Sequence, residues 1–219
     1  MSARPTVRAY IGLGANLGDA AATMASGVAA LEALPGVAVR GVSRLYATAP
    51  WGFTDQPEFR NAAAGLDVAG GTAGAEADAL DLLASLKAIE RSGGRQARAR
   101  WGPRELDLDL LLFGRHRIDV DRSDDARSID ADADPTKAAK RLEVPHRHLR
   151  ERLFVLAPLA DLAPRLVPPG WTETIDTRRR IVAAAEPPGS IRVVGQWDPA
   201  SGRWLPAGDG PATSSGGAS

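Results

Sequence analysis

The order strand, helix, strand, strand, helix, strand, followed by more helices, predicts an α+β fold. Its core is a ferredoxin-like split βαβ unit, an antiparallel or mixed sheet covered by helices in α/β/α layers. Two observations carry this reading. Segments with apolar residues at every second position alternate with segments whose apolar residues recur three and four apart. Gly- and Pro-containing turns fall at the joins. In the first segment Val7, Ala9, Ile11 and Leu13 alternate with Arg8, Tyr10 and Gly12, giving a first strand. The run from Gly12 to Asp19 then reads as a loop into a helix, with Asp19 as N-cap. Its glycines miss the dinucleotide fingerprint, since the third falls at 18 where 17 is needed. Met24, Val28, Leu31 and Leu34 share one helical face, and Pro35-Gly36 ends that helix.

Residues 37–46 are β-rich and form a second strand. A Pro/Gly/aromatic loop over 49–57 follows. Ala62, Ala64, Leu66 and Val68 alternate on a third strand, with Asn61 projecting from its other face. A helix over 75–92 carries Leu80, Leu83, Leu86 and Ile89, and Gly93-Gly94 terminates it. After an arginine-rich loop comes a strand with Leu106, Leu108, Leu110 and Leu112 on one face. Asp107, Asp109, Leu111 and Phe113 lie on the other. Because it is apolar on nearly both faces, this strand is expected at the centre of the sheet. Residues 115–140 hold seven aspartates and almost no large apolar residues after Val120, which predicts a mobile acidic insertion. Residues 142–146 are extended. Residues 153–162 form a short buried helix despite Pro158, and Thr172 caps a last helix. Ile191, Val193 and Trp197 suggest a strand or hairpin over 189–204. The Gly/Ser/Ala/Pro tail after it is expected to be disordered.

With 219 residues and 44% hydrophobic content, the chain can bury the core of one domain. Lys plus Arg and Asp plus Glu both number 27, so no global field points to nucleic acid or membrane. Cysteine is absent, which excludes disulfides, thiolate metal sites and a cysteine nucleophile. No apolar run is long enough to span a bilayer. The expectation is a cytoplasmic monomer with small-molecule partners.

The chemistry concentrates at Asp107 and Asp109. On a strand their side chains point the same way, roughly 6.5–7 Å apart along the chain. Two carboxylates so held repel each other unless a cation lies between them. Mg²⁺ suits them, and it takes its remaining ligands from water and phosphate. Arg100 and Arg104 stand beside the pair, where a guanidinium fork can grip phosphate oxygens. A solvated edge-strand face is the other reading of the same D-x-D spacing.

Several motifs together resemble the 6-hydroxymethyl-7,8-dihydropterin pyrophosphokinase family. They are Gly14-Ala15-Asn16-Leu17-Gly18, Tyr46-Ala47-Thr48-Ala49-Pro50-Trp51-Gly52, and Asp55-Gln56-Pro57-Glu58-Phe59-Arg60-Asn61-Ala62. Ile89-Glu90 with Gly94-Arg95, Arg100-Trp101-Gly102-Pro103-Arg104 with Leu106-Asp107-Leu108-Asp109, and Val144-Pro145-His146 with Arg152-Leu153-Phe154 complete the set.

The resemblance implies an ATP-dependent diphosphotransferase of folate biosynthesis. Such an enzyme moves the β,γ-pyrophosphoryl group to the pterin hydroxymethyl oxygen and releases AMP. It implies two Mg²⁺ ions on Asp107 and Asp109, with Arg95 and Arg104 acting on the phosphates during transfer. It assigns nucleotide contacts to Glu90, Arg100, Trp101, Leu110, Arg141, His146 and Arg152. The pterin would be held by Thr48, Trp51, Phe59, Asn61, Trp101 and Phe154. Phe59 and Phe154 are the two aromatic plates and Asn61 the amide that reads the pterin edge. The implied enzyme domain is 1–186 with 115–140 inserted, and 187–219 is an extension. The chain departs from the family pattern at Gln96-Ala97-Arg98, Lys87, Arg147 and Ala49. A ferredoxin-like nucleic-acid or nucleotide binding module without catalysis is the alternative. RNA-binding sheets of this order need exposed aromatics, whereas here the strand offers two acids.

Arg95, Arg98, Arg100 and Trp101 lie between Gly93-Gly94 and Gly102-Pro103, and Arg104 comes just after. Such a segment is expected to act as a lid whose repelling arginines are drawn together by triphosphate. Arg95→Ala should therefore slow single-turnover transfer while leaving the equilibrium ATP titration nearly unchanged, and Arg104→Ala should also weaken pterin retention. Equal losses of ATP affinity and transfer rate in Arg95→Ala would make Arg95 a ground-state anchor instead.

Overall fold

The structure is a computed structural model in which residues 6–50, 56–71, 73–92, 105–122 and 140–207 are described. Strand β1 (Thr6–Ala15) is the axis of the sheet, flanked by β4 (Phe59–Ala69) and β5 (Asp107–Phe113), antiparallel to both. Ala9, Ile11, Leu13 and Ala15 are buried on one face, as the alternation predicts. Gly12 and Gly14 are strand residues, not the loop expected from their glycine spacing. Gly14 pairs with Asn61 on one side and Asp107 on the other. Ladder pairing on both sides satisfies their backbone, and it outweighs the weak strand propensity of glycine.

Helix α1 (Ala20–Glu32) starts at Asp19, whose Oδ1 accepts from the Ala22 N–H at 3.0 Å. Met24, Val28 and Leu31 are buried under the sheet. The predicted second strand is split into β2 (Val37–Val42) and β3 (Leu45–Thr48), both paired with β4. Buried Ser43 makes the join. Its Oγ accepts from the Ala63 N–H at 2.8 Å and donates to the Arg44 carbonyl at 2.8 Å. Helix α2 (Ala75–Ser92) buries Ala79, Leu82, Leu86 and Ile89, so Leu82 joins the expected face and Leu80 and Leu83 flank it.

With β8 (Ile191–Asp198) and β9 (Arg203–Pro206), the seven-stranded sheet runs β5-β1-β4-β3-β8-β9, with β2 also on β4, and every described pairing in it is antiparallel. The 4-1-3-2 arrangement of its first strands is the predicted ferredoxin-like core. β5 is an edge strand of this sheet and not the central strand expected. Its apolar residues on both faces come from being covered on both: Leu108 and Leu110 join the core under α1 and α2, Leu111 and Leu112 the core under α3. A bulge at Leu111 between the pairs Ile11–Leu110 and Tyr10–Leu112 sends two consecutive leucines to one face. This corrects the simple alternation, moving Leu112 to the Asp side and Phe113 to the other.

The described start of the acidic segment is regular. β6 (Ile118–Asp121) pairs with β7 (Lys140–Val144), and Lys140 Nζ lies 2.6 Å from Asp119 and 2.8 Å from Asp121. Its middle, 123–139, lies outside the described residues, as does the tail after 207. Helix α3 (Leu153–Leu162) accommodates Pro158 and crosses the second face of the sheet. Asp161 fastens it there, receiving the Arg44 guanidinium at 2.6 Å and the Tyr46 hydroxyl at 3.0 Å. Helix α4 (Ile175–Ala185) is capped by Thr174, whose Oγ1 accepts from the Thr177 N–H. Thr172 was the expected cap; its hydroxyl instead donates to Glu173.

The expected terminal hairpin is present as β8 (Ile191–Asp198) and β9 (Arg203–Pro206), and β8 pairs with β3. Trp204 is buried in the main core, stacks edge-on against Trp197 at 4.7 Å and donates from Nε1 to the Ser43 carbonyl at 2.8 Å. Trp204→Ala should therefore destabilise the whole domain by about 3–5 kcal/mol. Urea unfolding followed by circular dichroism would show it. Unchanged midpoints would mean that the hairpin is an appendage.

Candidate active site

The site is a set of rows across one end of the sheet, on the face that α3 covers. Register places Asp107 of β5, Gly14 of β1, Asn61 of β4 and Tyr46 of β3 side by side. One step along, Asp109 stands opposite Gly12, and toward the other side Phe59 pairs with Thr48. Adjacent strands lie about 4.8 Å apart, so Asp107 and Asn61 backbones are separated by roughly 10 Å with only glycine between. A Cβ on Gly14 would approach the Asn61 Oδ1 at 3.8 Å, so the glycine leaves open the floor of a cleft between the acids and the amide.

Each side chain is held in its own way. Asn61 is 6% exposed and donates from Nδ2 to the Thr48 Oγ1 at 3.0 Å, which fixes the amide plane. Asp107 and Asp109 are partly buried and point away from the Leu108–Leu110 core face. Glu90 is 1% exposed, and its Oε1 accepts from the Leu108 N–H at 2.7 Å and from Lys87 Nζ at 2.7 Å. These bonds tie Glu90 to β5 and to Lys87. Leu110 points into the α1/α2 core, so its backbone is what can face a nucleotide.

His146 follows β7, and its N–H donates to the Leu111 carbonyl at 2.9 Å, seating it on the outer edge of β5. Burial pushes its imidazole below the ordinary histidine value, and the charge of Asp109 pulls the other way. Nδ1 accepts from the His148 N–H at 3.3 Å, which puts the proton of the neutral ring on Nε2. Arg152 is the N-cap residue of α3, and its guanidinium lies 5.7 Å from the Phe154 ring centroid. Leu153 packs on Tyr46, the partner of Asn61, while the Arg152 charge acts on His146, so the first turn of α3 spans from the amide row toward the acid end. Arg141 is exposed on β7.

Trp51, Arg95, Arg100, Trp101 and Arg104 lie outside the described residues. Two residues escaped sequence reasoning. Gly14 was read as part of a turn; its strand role shows only in the register. Asn16, 2% exposed, donates from Nδ2 to Gln56 Oε1 at 3.1 Å and to the Pro57 carbonyl at 3.2 Å, tying the end of β1 to the approach to β4. It sat in a recognised motif with no chemistry attached.

Asp107 and Asp109 suit a hard divalent cation. Among the described residues no group of three or more His, Cys, Asp or Glu could hold a metal, so a cation here needs ligands from water and substrate, as Mg²⁺ commonly does. No described helix is long and apolar enough to cross a membrane.

The 2-amino-4-hydroxy-6-hydroxymethyldihydropteridine pyrophosphokinase of Methylorubrum extorquens is 40% identical over 186 residues, 85% of this chain and 98% of that protein. The Pseudomonas aeruginosa protein of the same name is 42% identical over 159 residues, 73% of this chain and 82% of its own. Among solved structures, the HPPK-DHPS of Plasmodium falciparum superposes with a TM-score of 0.62 at 14% identity, covering 84% of this chain and 44% of that one. The chain therefore spans under half the length of that protein, and the likeness concerns the fold. Residues 10–164 match the family described as 7,8-dihydro-6-hydroxymethylpterin-pyrophosphokinase (HPPK), and the chain belongs to that family.

Proposed function

We propose that this site transfers the β,γ-pyrophosphoryl group of ATP to the hydroxymethyl oxygen of 6-hydroxymethyl-7,8-dihydropterin. The substrate oxygen bonds to the β-phosphorus, the bond between that phosphorus and the α,β-bridging oxygen breaks, AMP leaves, and the hydroxyl proton is lost. The observation that carries the reading is the row Asp107–Gly14–Asn61: a carboxylate pair and an aimed amide on one face, with an open glycine floor between them. The acids define a phosphate end and the amide a heterocycle end, so the transferred group would lie between.

At the heterocycle end, Asn61 offers a fixed donor and acceptor to the amide-like pterin edge, and Phe59 and Phe154 supply flat surfaces. At the phosphate end, Asp107 and Asp109 would hold two Mg²⁺ ions. Bound there, these ions would neutralise charge on the attacking and leaving oxygens of an in-line displacement. Neutral His146 offers an Nε2–H donor to the nucleotide, and Arg152 a charge. By the resemblance, Arg95 and Arg104 act on the phosphates during transfer, Arg100 and Trp101 contact the nucleotide, and Trp51 and Trp101 contact the pterin. The reading includes a cytoplasmic monomer.

The direct test is AMP release from ATP, Mg²⁺ and 6-hydroxymethyl-7,8-dihydropterin. An inert protein would sink the proposal. Asp107→Ala and Asp109→Ala should each abolish turnover while keeping the native circular dichroism spectrum, and near-normal activity in either would refute the carboxylate assignment.

Gly14→Leu tests the floor. Filling that space should raise the pterin KM by about tenfold, within the roughly 1–3 kcal/mol of overfilling a packed site. An unaltered KM would place the pterin elsewhere.

A further inference from the structure

We infer that Lys87 and Glu90 form a side-chain latch that positions the Asp107–Asp109 pair, with Glu90 acting as a positioning residue through the Leu108 peptide. This rests on the reading that the two aspartates hold metal. β5 ends the sheet, so at Leu108 its outward N–H and C=O have no neighbouring strand. Glu90 and Lys87 replace one. Oε1 of Glu90 accepts from the Leu108 N–H at 2.7 Å, and Nζ of Lys87 donates to the Leu108 carbonyl at 3.1 Å. The same Nζ lies 2.7 Å from Glu90 Oε1, which closes a ring of three contacts.

Three features tie this latch to the site. Leu108 is the residue between the two aspartates, so fixing both polar groups of its peptide edge fixes the pleat that sets their spacing. A buried charge-assisted bond to a backbone N–H is among the stronger of its kind. Lys87 also balances the charge of Glu90, a third carboxylate beside the pair. Further, Glu90 lies in the last turn of α2. The latch therefore pins the helix end that precedes residues 93–104 to the strand that follows them.

The experiment is Mn²⁺ titration of the full chain, followed by electron paramagnetic resonance, with α,β-methylene-ATP saturating. A parallel arm measures binding of that analogue in EDTA, and melting curves in metal-free buffer check folding. Glu90→Ala should weaken Mn²⁺ by about tenfold, the scale seen when groups orienting metal ligands are removed. Analogue binding in EDTA should not change. Glu90→Gln, which keeps an oxygen for the Leu108 N–H, should stay close to the parent. Lys87→Met, which keeps the stem and loses the donor, should also weaken Mn²⁺, and it carries the test if Glu90→Ala does not fold. Weaker analogue binding in EDTA with Mn²⁺ affinity intact would make Glu90 a direct nucleotide contact and overturn the inference. Tighter Mn²⁺ binding in Lys87→Met would overturn it too, since charge and not position would then be what the pair contributes. Asp107→Ala is the reference. If it retains Mn²⁺, the metal reading itself falls; if it loses Mn²⁺ while Glu90→Ala does not, only the latch falls.

Discussion

Double pairing of β1 is the constraint on which the site depends. The strand is bonded to β4 on one side and β5 on the other through most of its length, and its register with each is set by burial of Ala9, Ile11, Leu13 and Ala15. A slip of one residue on either side would turn an entire neighbouring strand over. Asn61 would then enter the apolar core, or Asp107 and Asp109 would. The apolar face thus holds the polar face in place. The glycines of β1 make that polar face concave, since the flanking strands carry side chains where β1 carries none. Burying the amide costs little because Thr48 accepts from it across the next pair.

The two sides of the β5-β1-β4-β3 core are covered by different means, and both coverings reach the site. At the β5 edge, side chains of α2 bond the Leu108 peptide, and the His146 N–H bonds the Leu111 carbonyl. An exposed strand edge would otherwise be a template for other chains. Here closing it also delivers His146 beside the acids. At the other side, β8 covers β3, and Glu58, which precedes the aromatic Phe59, receives Arg60 and Arg192. These are exposed pairs of small individual worth. The backbone ladder and buried Trp204 hold the hairpin.

Much of this was legible in the chain. The alternation at Val7–Leu13 and Ala62–Val68, the Asp19 cap and the helical faces of α1 and α2 all depend on neighbours in sequence, and those signals were sound. What failed is non-local. An edge strand covered on both faces has the same composition as a central one, so Leu108–Phe113 misled about position. The bulge at Leu111 arises from the fit of β5 against β1, and no residue of β5 announces it. Gly12 and Gly14 carry a turn signature that pairing on both sides overrides. Thr172 and Thr174 are equally good caps by type; the choice falls to Thr174 because the Ile175 N–H is taken by the Leu166 carbonyl, which fixes where the helix begins.

Charge at the phosphate end follows from burial as much as from composition. Lys87 is engaged with Glu90, so neither adds much net charge to the cleft. His146 is held below its ordinary value, so at neutral pH it donates a hydrogen bond without adding a cation. Asp107 and Asp109 share this end with Arg152 and Arg147, whose charges are felt at His146. A polyanionic triphosphate meeting the two acids alone would be repelled. On the proposed reading, metal at the acids offsets that repulsion. The scaffold fixes the two acids on a strand, and on the proposed reading the cation arrives with the substrate. Assembly of a competent site is in this way coupled to the presence of the nucleotide, because only then are the opposing charges brought together.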